Sequence, residues 1–284
     1  MNRLRLNLSI LLFAGCALSS APKVAVPPVG AQTIHLPGGH LELTRIAHAS
    51  VLLKFADKVV LTDPWFSEKP GYHHGEPLGL SLEELPKLTA VVVSHGHYDH
   101  FDLETFKAYP DKAVPLFVGL DLVDSAKAAG FTNVQGLAPW QHAEVEGLTF
   151  TAAPGAHGVP EVTWLIQGEG RSVFFAGDTL KIPALDEILQ RVPHLDLALL
   201  PVNGLHAMGT QVVMSADEAA ALTATLKPEV VVPTHYAFRG SWFTETFILS
   251  FHGTPQQFLA AVAVAAPTTK AVMLAPGEVL VLAP

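Results

Sequence analysis

Four potential metal ligands lie close together in the run His95-Gly96-His97-Tyr98-Asp99-His100. The run follows Ala90-Val91-Val92-Val93-Ser94, and such a series of β-branched residues is typical of a buried strand. Imidazole nitrogens and carboxylate oxygens are ligands that zinc and similar first-row metals accept. A single site of ordinary closed geometry could not use all four side chains. The run therefore predicts two metal ions side by side, bound by a loop at the end of a rigid strand.

Three downstream residues of the same chemical types each follow an apolar run. They are His157 after residues 148–153, Asp178 after residues 172–176 and His235 after residues 230–234. A sheet whose strand ends present ligands at one edge can build a metal site from distant segments. The sum is five histidines and two aspartates, which is enough for two ions that share a bridging carboxylate.

With these motifs the chain resembles the hydrolases of the metallo-β-lactamase fold. Within that superfamily it resembles the branch that contains the ascorbate-phosphate lactonase and the N-acyl-phosphatidylethanolamine phospholipase D. The resemblance is carried by Ala47-His48-Ala49-Ser50-Val51-Leu52-Leu53, Leu61-Thr62-Asp63-Pro64-Trp65-Phe66, Glu84-Leu85-Pro86-Lys87, Ser94-His95-Gly96-His97-Tyr98-Asp99-His100 and Phe174-Phe175-Ala176-Gly177-Asp178-Thr179. It implies an α/β protein with a four-layer αββα sandwich.

The resemblance also implies which residues hold the metals. One ion is expected on His95, His97 and His157, the other on Asp99, His100 and His235, with Asp178 bridging both. Asp99 and Asp178 are also the candidate proton carriers. The expected ions are zinc or manganese, which lower the pKa of a shared water toward neutrality and so generate a bridging hydroxide. Asp63 matches a family aspartate that orients ligating imidazoles rather than binding metal itself.

Two histidines leave alternatives open. His142 competes with His157 for the third ligand position of the first ion, but it lies in a polar turn and is the less favoured of the two. His48 occupies a family position near the site, where it is either a group beside the metals or a hydrogen-bonded core residue.

The predicted reaction is hydrolysis of an ester, a lactone or a phosphodiester in a small or lipid-like molecule. Aromatic residues near Trp65 and Phe238 could form an apolar cleft wall, with Arg239 meeting a phosphate or carboxylate. A non-catalytic metal-binding surface lipoprotein and a mononuclear iron dioxygenase are the alternatives. A nucleic-acid substrate is not expected, because the formal charge is −9 and such enzymes usually carry a basic surface.

The N-terminus has the pattern of a processing segment. Residues 1–15 combine Arg3 and Arg5 with a short apolar run and predict a lipoprotein-type signal peptide. Cys16 is the only cysteine and the expected site of lipid attachment, which predicts export and anchoring to the cell envelope. Residues 16–40 are expected to form a tether, and residues 41–284 the hydrolase domain.

The remaining pattern alternates strands and helices. Strands are expected over 41–46, 50–55 and 58–62, and helices from Ser215 to about residue 227 and from Thr254 to residue 265. Ser81 and Glu84 predict a short capped helix that ends at Pro86. Residues 271–274 and 278–282 are expected to pair as a closing hairpin.

Overall fold

Two large sheets form the centre of residues 30–284, which are the residues described by the computed structural model. The strands, in chain order, are β1 Gln32–His35, β2 Leu41–Ala47, β3 Ser50–Phe55, β4 Lys58–Thr62, β5 His73–His74, β6 Ala90–Val92, β7 Leu116–Val118, β8 Val134–Gly136, β9 His142–Val145, β10 Leu148–Pro154, β11 Val162–Gly168, β12 Arg171–Phe175, β13 Leu197–Pro201, β14 His206–Ala207, β15 Thr210–Gln211, β16 Val230–Thr234, β17 Phe238–Arg239, β18 Leu249–Ser250, β19 Lys270–Ala271 and β20 Val279–Ala283.

The first sheet has the order β1-β20-β2-β3-β4-β6-β7-β8, and the second has the order β19-β16-β13-β12-β11-β10-β9. Strands β4, β6, β7 and β8 are parallel, as are β12, β13, β16 and β19. Small additional sheets join β14 to β15 and β18, and β5 to β17.

The helices are α1 Leu103–Phe106, α2 Val123–Ala128, α3 Ile188–Arg191, α4 Ala216–Leu226, α5 Trp242–Phe247 and α6 Pro255–Ala265, with 3₁₀ turns at Leu120–Leu122 and Pro183–Glu187. The predicted helices α4 and α6 are confirmed. At α4, Ser215 and Glu218 form the expected reciprocal capping box. At α6, the hydroxyl of Thr254 accepts the Gln257 N–H and a proline follows at the first helical position.

Alternating residues of the strands pack on opposite faces of each sheet. Val92 of the first sheet faces Trp164 of the second across a core with no helix in it. The neighbouring Val91 points outward to Phe106 of α1, while α4 and α6 cover the outer face of the second sheet. Each fully buried large apolar side chain contributes about 1.5–3 kcal/mol to the free energy of folding. These layers confirm the predicted four-layer αββα sandwich.

Three expectations about local structure are wrong. Residues 81–86 form a turn, in which the Ser81 N–H donates to the Glu84 carboxylate at 2.8 Å, because Pro86 comes too soon for a helix to grow. The expected closing hairpin does not form: β19 extends the second sheet beside β16, and β20 enters the first sheet between β1 and β2. Strand β1 pairs with β20 inside the range expected as a tether, so the domain begins before residue 41.

The strands that carry the predicted ligands end on one side of the sandwich. His48, Asp63 and His95 follow β2, β4 and β6, which run in the same direction in the first sheet. His157, Asp178 and His235 follow β10, β12 and β16, which share a direction in the second. We call this side the site edge. The two sheets are joined there by the Val162 N–H donating to the Ser94 carbonyl at 3.0 Å and the His235 N–H donating to the His48 carbonyl at 3.2 Å.

The signal peptide, Cys16 and most of the predicted tether lie outside the described residues. Within residues 30–284, no helix has the length and apolar character that crossing a membrane requires.

Candidate metal centre

Three imidazoles converge at the end of β6. The Nε2 atom of His95 lies 3.0 Å from Nδ1 of His97, and Nε2 of His157 lies 3.2 Å from the same atom. The Nδ1–H of His157 donates to the Val212 carbonyl at 2.7 Å, which fixes the tautomer and leaves the Nε2 lone pair directed inward. These three side chains form a group whose ligand atoms lie within 4.8 Å of one another.

A second group lies beside the first. It contains His48, Asp99, His100 and His235, again with ligand atoms within 4.8 Å of one another, and all four residues are buried. The pKa of Asp99 is lowered despite its burial, because His48 and His100 stabilise the carboxylate.

Asp178 lies between the two groups. Its Oδ2 atom is 2.7 Å from His235 Nε2 and 3.8 Å from His157 Nε2, and its Oδ1 atom is 3.1 Å from His100 Nε2. A single carboxylate thus lies near imidazoles of both groups, as a bridging ligand would. Burial alone would raise the pKa of Asp178, but His100 and His235 hold it well below its ordinary value.

Several of the ligand atoms are close together and yet have no hydrogen-bond partner. Nε2 of His100, both ring nitrogens of His235 and Oδ1 of Asp178 are buried without a hydrogen-bond partner. Leaving such polar groups unsatisfied is costly, so a fully buried set is rare without a reason. Buried ligand atoms that face one another without hydrogen-bond partners are the arrangement that a bound metal ion satisfies, so the residues fit a metal centre.

Asp63 orients two of the imidazoles. Its Oδ2 atom accepts the Nδ1–H of His100 at 2.6 Å and the Ser94 hydroxyl at 2.7 Å. That hydroxyl lies 2.9 Å from Nδ1 of His95, so the carboxylate reaches His95 through Ser94. Both histidines therefore direct Nε2 toward the centre, which is the positioning role expected for Asp63.

We expect Asp63→Asn to weaken metal binding by about 10–100-fold, because both carboxylate oxygens accept hydrogen bonds and the amide NH2 would face a donor at one of these positions. Competition with a chromophoric chelator measures the affinity. The matched control is Asp57→Asn, which changes an exposed carboxylate in the turn between β3 and β4. Equal affinities of the two variants would contradict the role of Asp63.

Three residues of the site have backbone conformations that residues other than glycine rarely adopt. His48, Asp63 and His235 have positive φ angles of 53°, 35° and 54°. Non-glycine residues in this region cost on the order of 1–3 kcal/mol each and persist where surrounding contacts hold them. Here the contacts are specific, because the His48 N–H donates to Glu76 and the Asp63 N–H to the Val92 carbonyl.

His48 lies in the site rather than in the core beside it. Its Nδ1 atom accepts the Ala237 N–H at 3.3 Å, so its proton is on Nε2, which faces Asp99 Oδ2 at 3.5 Å. Burial lowers the pKa of His48 to about 3, which agrees with a neutral ring. A protonated Nε2 cannot bind a metal, so this tautomer places His48 beside Asp99 rather than among the metal ligands.

Two other predicted positions lie away from the cluster. His142 is exposed on β9, at the outer end of the second sheet, which favours His157 as the third ligand. Arg239 on β17 lines a cavity of about 410 Å³ together with Tyr236, Phe238 and His252. Its Nη1 atom lies 3.8 Å from Glu245 Oε1.

Glu161 has a buried side chain at the site, and the sequence analysis did not identify it. Its Oε1 atom accepts the Asp178 N–H at 2.7 Å and lies 3.7 Å from His95 Nδ1. Burial and the nearby Asp178 raise the pKa of Glu161 well above its ordinary value. A Cβ atom at Gly177 would lie 2.8 Å from Oε1, so glycine permits the close approach. No ligand-type spacing marks Glu161, which lies just before β11 in a loop.

Arg45 and Glu76 form a second feature absent from the sequence analysis. Arg45 Nη1 donates to Glu76 Oε2 at 2.9 Å, and both side chains are buried. The guanidinium carbon lies 4.5 Å from the ring centroid of Tyr236, the neighbour of His235. The pair thus supports both strained histidine segments, since Glu76 also accepts the His48 N–H.

Comparison with known proteins identifies the family of the chain. A family model described as a beta-lactamase superfamily domain matches residues 58–236, more than half of the chain. The chain belongs to this superfamily. The resemblance inferred from the sequence motifs is therefore confirmed at the level of the superfamily.

Several similar proteins are named as metal-dependent enzymes. A UPF0173 metal-dependent hydrolase from Pelotomaculum thermopropionicum is 28% identical over 251 residues, which cover 84% of this chain and 98% of the relative. The structure of a metallo hydrolase from Ignicoccus hospitalis aligns with a TM-score of 0.65 at 24% identity, over 85% of this chain and 98% of that one. The diiron β-hydroxylase CmlA from Streptomyces venezuelae aligns with a TM-score of 0.65 at 17% identity, over 88% of this chain and 55% of that one. These structural likenesses show the fold alone.

Proposed function

We propose that the chain is a hydrolase that uses two divalent metal ions to cleave an ester, a lactone or a phosphodiester. Zinc is the proposed metal, with manganese as the alternative. The observation that carries the proposal is the pair of converging ligand groups with Asp178 between them. The name of the UPF0173 relative supports the same reaction class.

In this proposal His95, His97 and His157 hold one ion, while Asp99, His100 and His235 hold the other. Asp178 contacts both groups. Two divalent ions held there supply Lewis-acid chemistry, since they acidify water and polarise a carbonyl or phosphoryl oxygen.

The chain's own residues fix the positions of the groups that act. Asp63 keeps the Nδ1–H protons of His100 and, through Ser94, of His95 away from the centre. His48 presents its Nε2–H to Asp99 Oδ2, so the opposite side of that carboxylate stays available as an acceptor. Asp99 and Asp178 are the carboxylates placed to accept a proton at the centre.

The surroundings favour a substrate with an apolar portion. A cavity of about 370 Å³ beside His157 is lined by apolar residues that include Leu120, Leu137, Pro160 and Val162. Asp121 and Glu161 are its acidic residues, and it contains no lysine or arginine. An acyl or other uncharged group suits this wall, while Arg239 lines the other cavity together with Tyr236, the residue after His235, and could meet an anionic group there.

Export and lipid attachment at Cys16 complete the proposal, with a small or lipid-like substrate at the cell envelope. The apolar run of the first fifteen residues and the single cysteine support it. Metabolic labelling with a lipid probe tests it: wild type should be labelled and Cys16→Ser should not.

Metal analysis combined with turnover tests the function. We expect about two zinc or manganese ions per purified chain, and hydrolysis of bis-p-nitrophenyl phosphate, a p-nitrophenyl ester or a simple lactone. Bound metal without turnover of any of these would favour the non-catalytic lipoprotein. One iron per chain without hydrolysis would favour the dioxygenase.

The matched pair His157→Ala and His142→Ala tests the ligand set. Removing His157 should lower bound metal from about two ions to about one and suppress turnover, because the first group then keeps only two imidazoles. His142→Ala should match wild type in both measurements, since His142 is exposed on β9. The reverse result would move the third ligand position to His142.

A further inference from the structure

Helix α5 is an apolar helix without a buried residue. Its Trp242, Phe243 and Phe247 are 60%, 57% and 63% exposed, and Ile248 follows them at 37%. Met208 is 84% exposed and lies beside them, since its N–H donates to the Ile248 carbonyl at 2.7 Å. We call these five residues the α5 patch.

The large exposed apolar side chains of the described residues are concentrated in the α5 patch rather than scattered over the surface. Within residues 30–284, large exposed apolar side chains outside the patch are confined to Leu120 and Val264. Single exposed apolar residues are normal on a soluble domain, whereas a contiguous set marks a contact surface. The rings also pack against one another, with 5.2 Å between the centroids of Phe243 and Phe247 and 5.9 Å between those of Trp242 and Phe247.

The α5 patch lies at the site edge. Helix α5 comes directly after β17, whose Phe238 has its ring centroid 6.3 Å from that of His48. Met208 belongs to the β14–β15 turn, and β14 pairs with β18, the strand that follows α5. The patch and the metal-ligand groups therefore face the same side of the sandwich.

The first described residue also lies at this edge. The Gly30 N–H donates to Glu278 Oε1 at 2.6 Å, and the Glu278 carbonyl accepts the Arg45 N–H at 3.2 Å, three residues before His48. The described part of the chain therefore begins on the side that carries the α5 patch. Their sequence includes the apolar run from Leu6 to Ala14.

The side chains of the α5 patch indicate which kind of surface it binds. Tryptophan and phenylalanine on a short amphipathic segment suit the interface of a lipid bilayer. Residues 240–251 contain Glu245 and neither lysine nor arginine, so the segment has no attraction for anionic lipid or nucleic acid.

We propose that the α5 patch inserts into the interface of a zwitterionic phospholipid bilayer and turns the site edge toward the membrane. This docking is independent of the hydrolytic reaction proposed above. It is also distinct from lipid attachment at Cys16, which would hold the chain near a membrane without placing α5 in it.

Tryptophan quenching by brominated lipid tests the proposal on the full chain. Trp65 and Trp164 are fully buried and Trp140 stacks on Arg191, so Trp242 is the tryptophan placed to meet acyl chains. We expect phosphatidylcholine vesicles brominated in the acyl chains to quench wild-type fluorescence, with no loss of quenching at high salt. Trp242→Phe should keep vesicle binding and lose the quenched component.

Variants of the α5 patch separate this contact from binding through the N-terminal segment. Phe243→Ser and Phe247→Ser should each raise the lipid concentration needed for half-maximal quenching by about tenfold, because each removes one inserted aromatic ring. Val264→Ser is the matched control, since it removes an exposed apolar side chain outside the patch and should leave quenching unchanged.

Two results would overturn the proposal. One is wild-type protein that sediments with the brominated vesicles while its tryptophan fluorescence is unquenched. The other is a concentration-dependent dimer in the absence of lipid that Phe243→Ser and Phe247→Ser convert to monomer, which would make the patch an interface between two copies of the chain. Circular dichroism of each variant verifies that it is folded, and neither readout requires turnover.

Discussion

Asp178→Ala should lower turnover by more than about a hundredfold and reduce the bound metal from about two ions to one or fewer. Loss of a residue that only orients a metal ligand commonly costs 10–100-fold, and Asp178 itself lies within 4 Å of imidazoles in both ligand groups. Its removal also leaves the neighbouring imidazoles without the carboxylate that faces them. Metal analysis and turnover of the substrates named above measure the two effects.

Two further variants make this result specific. Asp178→Asn keeps the size of the side chain and removes its charge, so it should still lose metal, whereas a purely steric role predicts near-normal binding. Asp186→Ala removes an exposed aspartate from the 3₁₀ turn at Pro183–Glu187 and should behave as wild type. Full metal content and turnover in Asp178→Ala would refute the bridging role and, with it, the proposed dinuclear centre.

The candidate ligands could be predicted from sequence because their signals are local. Each follows a run of apolar residues, and strands that share a direction in a sheet bring their carboxyl ends to one edge. His157 illustrates the point: a strand precedes it, whereas its competitor His142 lies within a short exposed strand. The helices α4 and α6 were likewise predictable, since their caps are encoded within four residues.

Other features depend on long-range contacts and leave no local signal in the sequence. Glu161 reaches the site because β11 crosses beside the β6 loop, which only the assembled sheets determine. The segments expected to close as a hairpin each find a better partner, with β19 on β16 and β20 between β1 and β2. Local pattern alone cannot decide which sheet an apolar strand joins.

The ion pair of Arg45 and Glu76 is the other long-range feature, and breaking it should have a large effect on stability. We expect Arg45→Ala to lower the free energy of unfolding by about 3–5 kcal/mol, because the Glu76 carboxylate would stay buried without its partner. Urea denaturation in the presence of a chelator measures this loss without a contribution from bound metal. Lys54→Ala is the matched control on the same sheet. Its half-exposed ion pair with Glu42, at 3.5 Å, should contribute about 0–1 kcal/mol.

The double variant Arg45→Met with Glu76→Leu tests whether the stability lost in Arg45→Ala comes from the unpaired charge of Glu76 or from lost side-chain packing. With both charges removed, most of the stability should return, since apolar residues of similar size often replace a buried ion pair without loss. Metal affinity should remain reduced all the same, because the His48 N–H then lacks the acceptor that helps to hold its positive φ angle. Recovery of both stability and metal binding would mean that the pair contributes only to folding, whereas recovery of stability alone would identify Glu76 as a support of the metal centre.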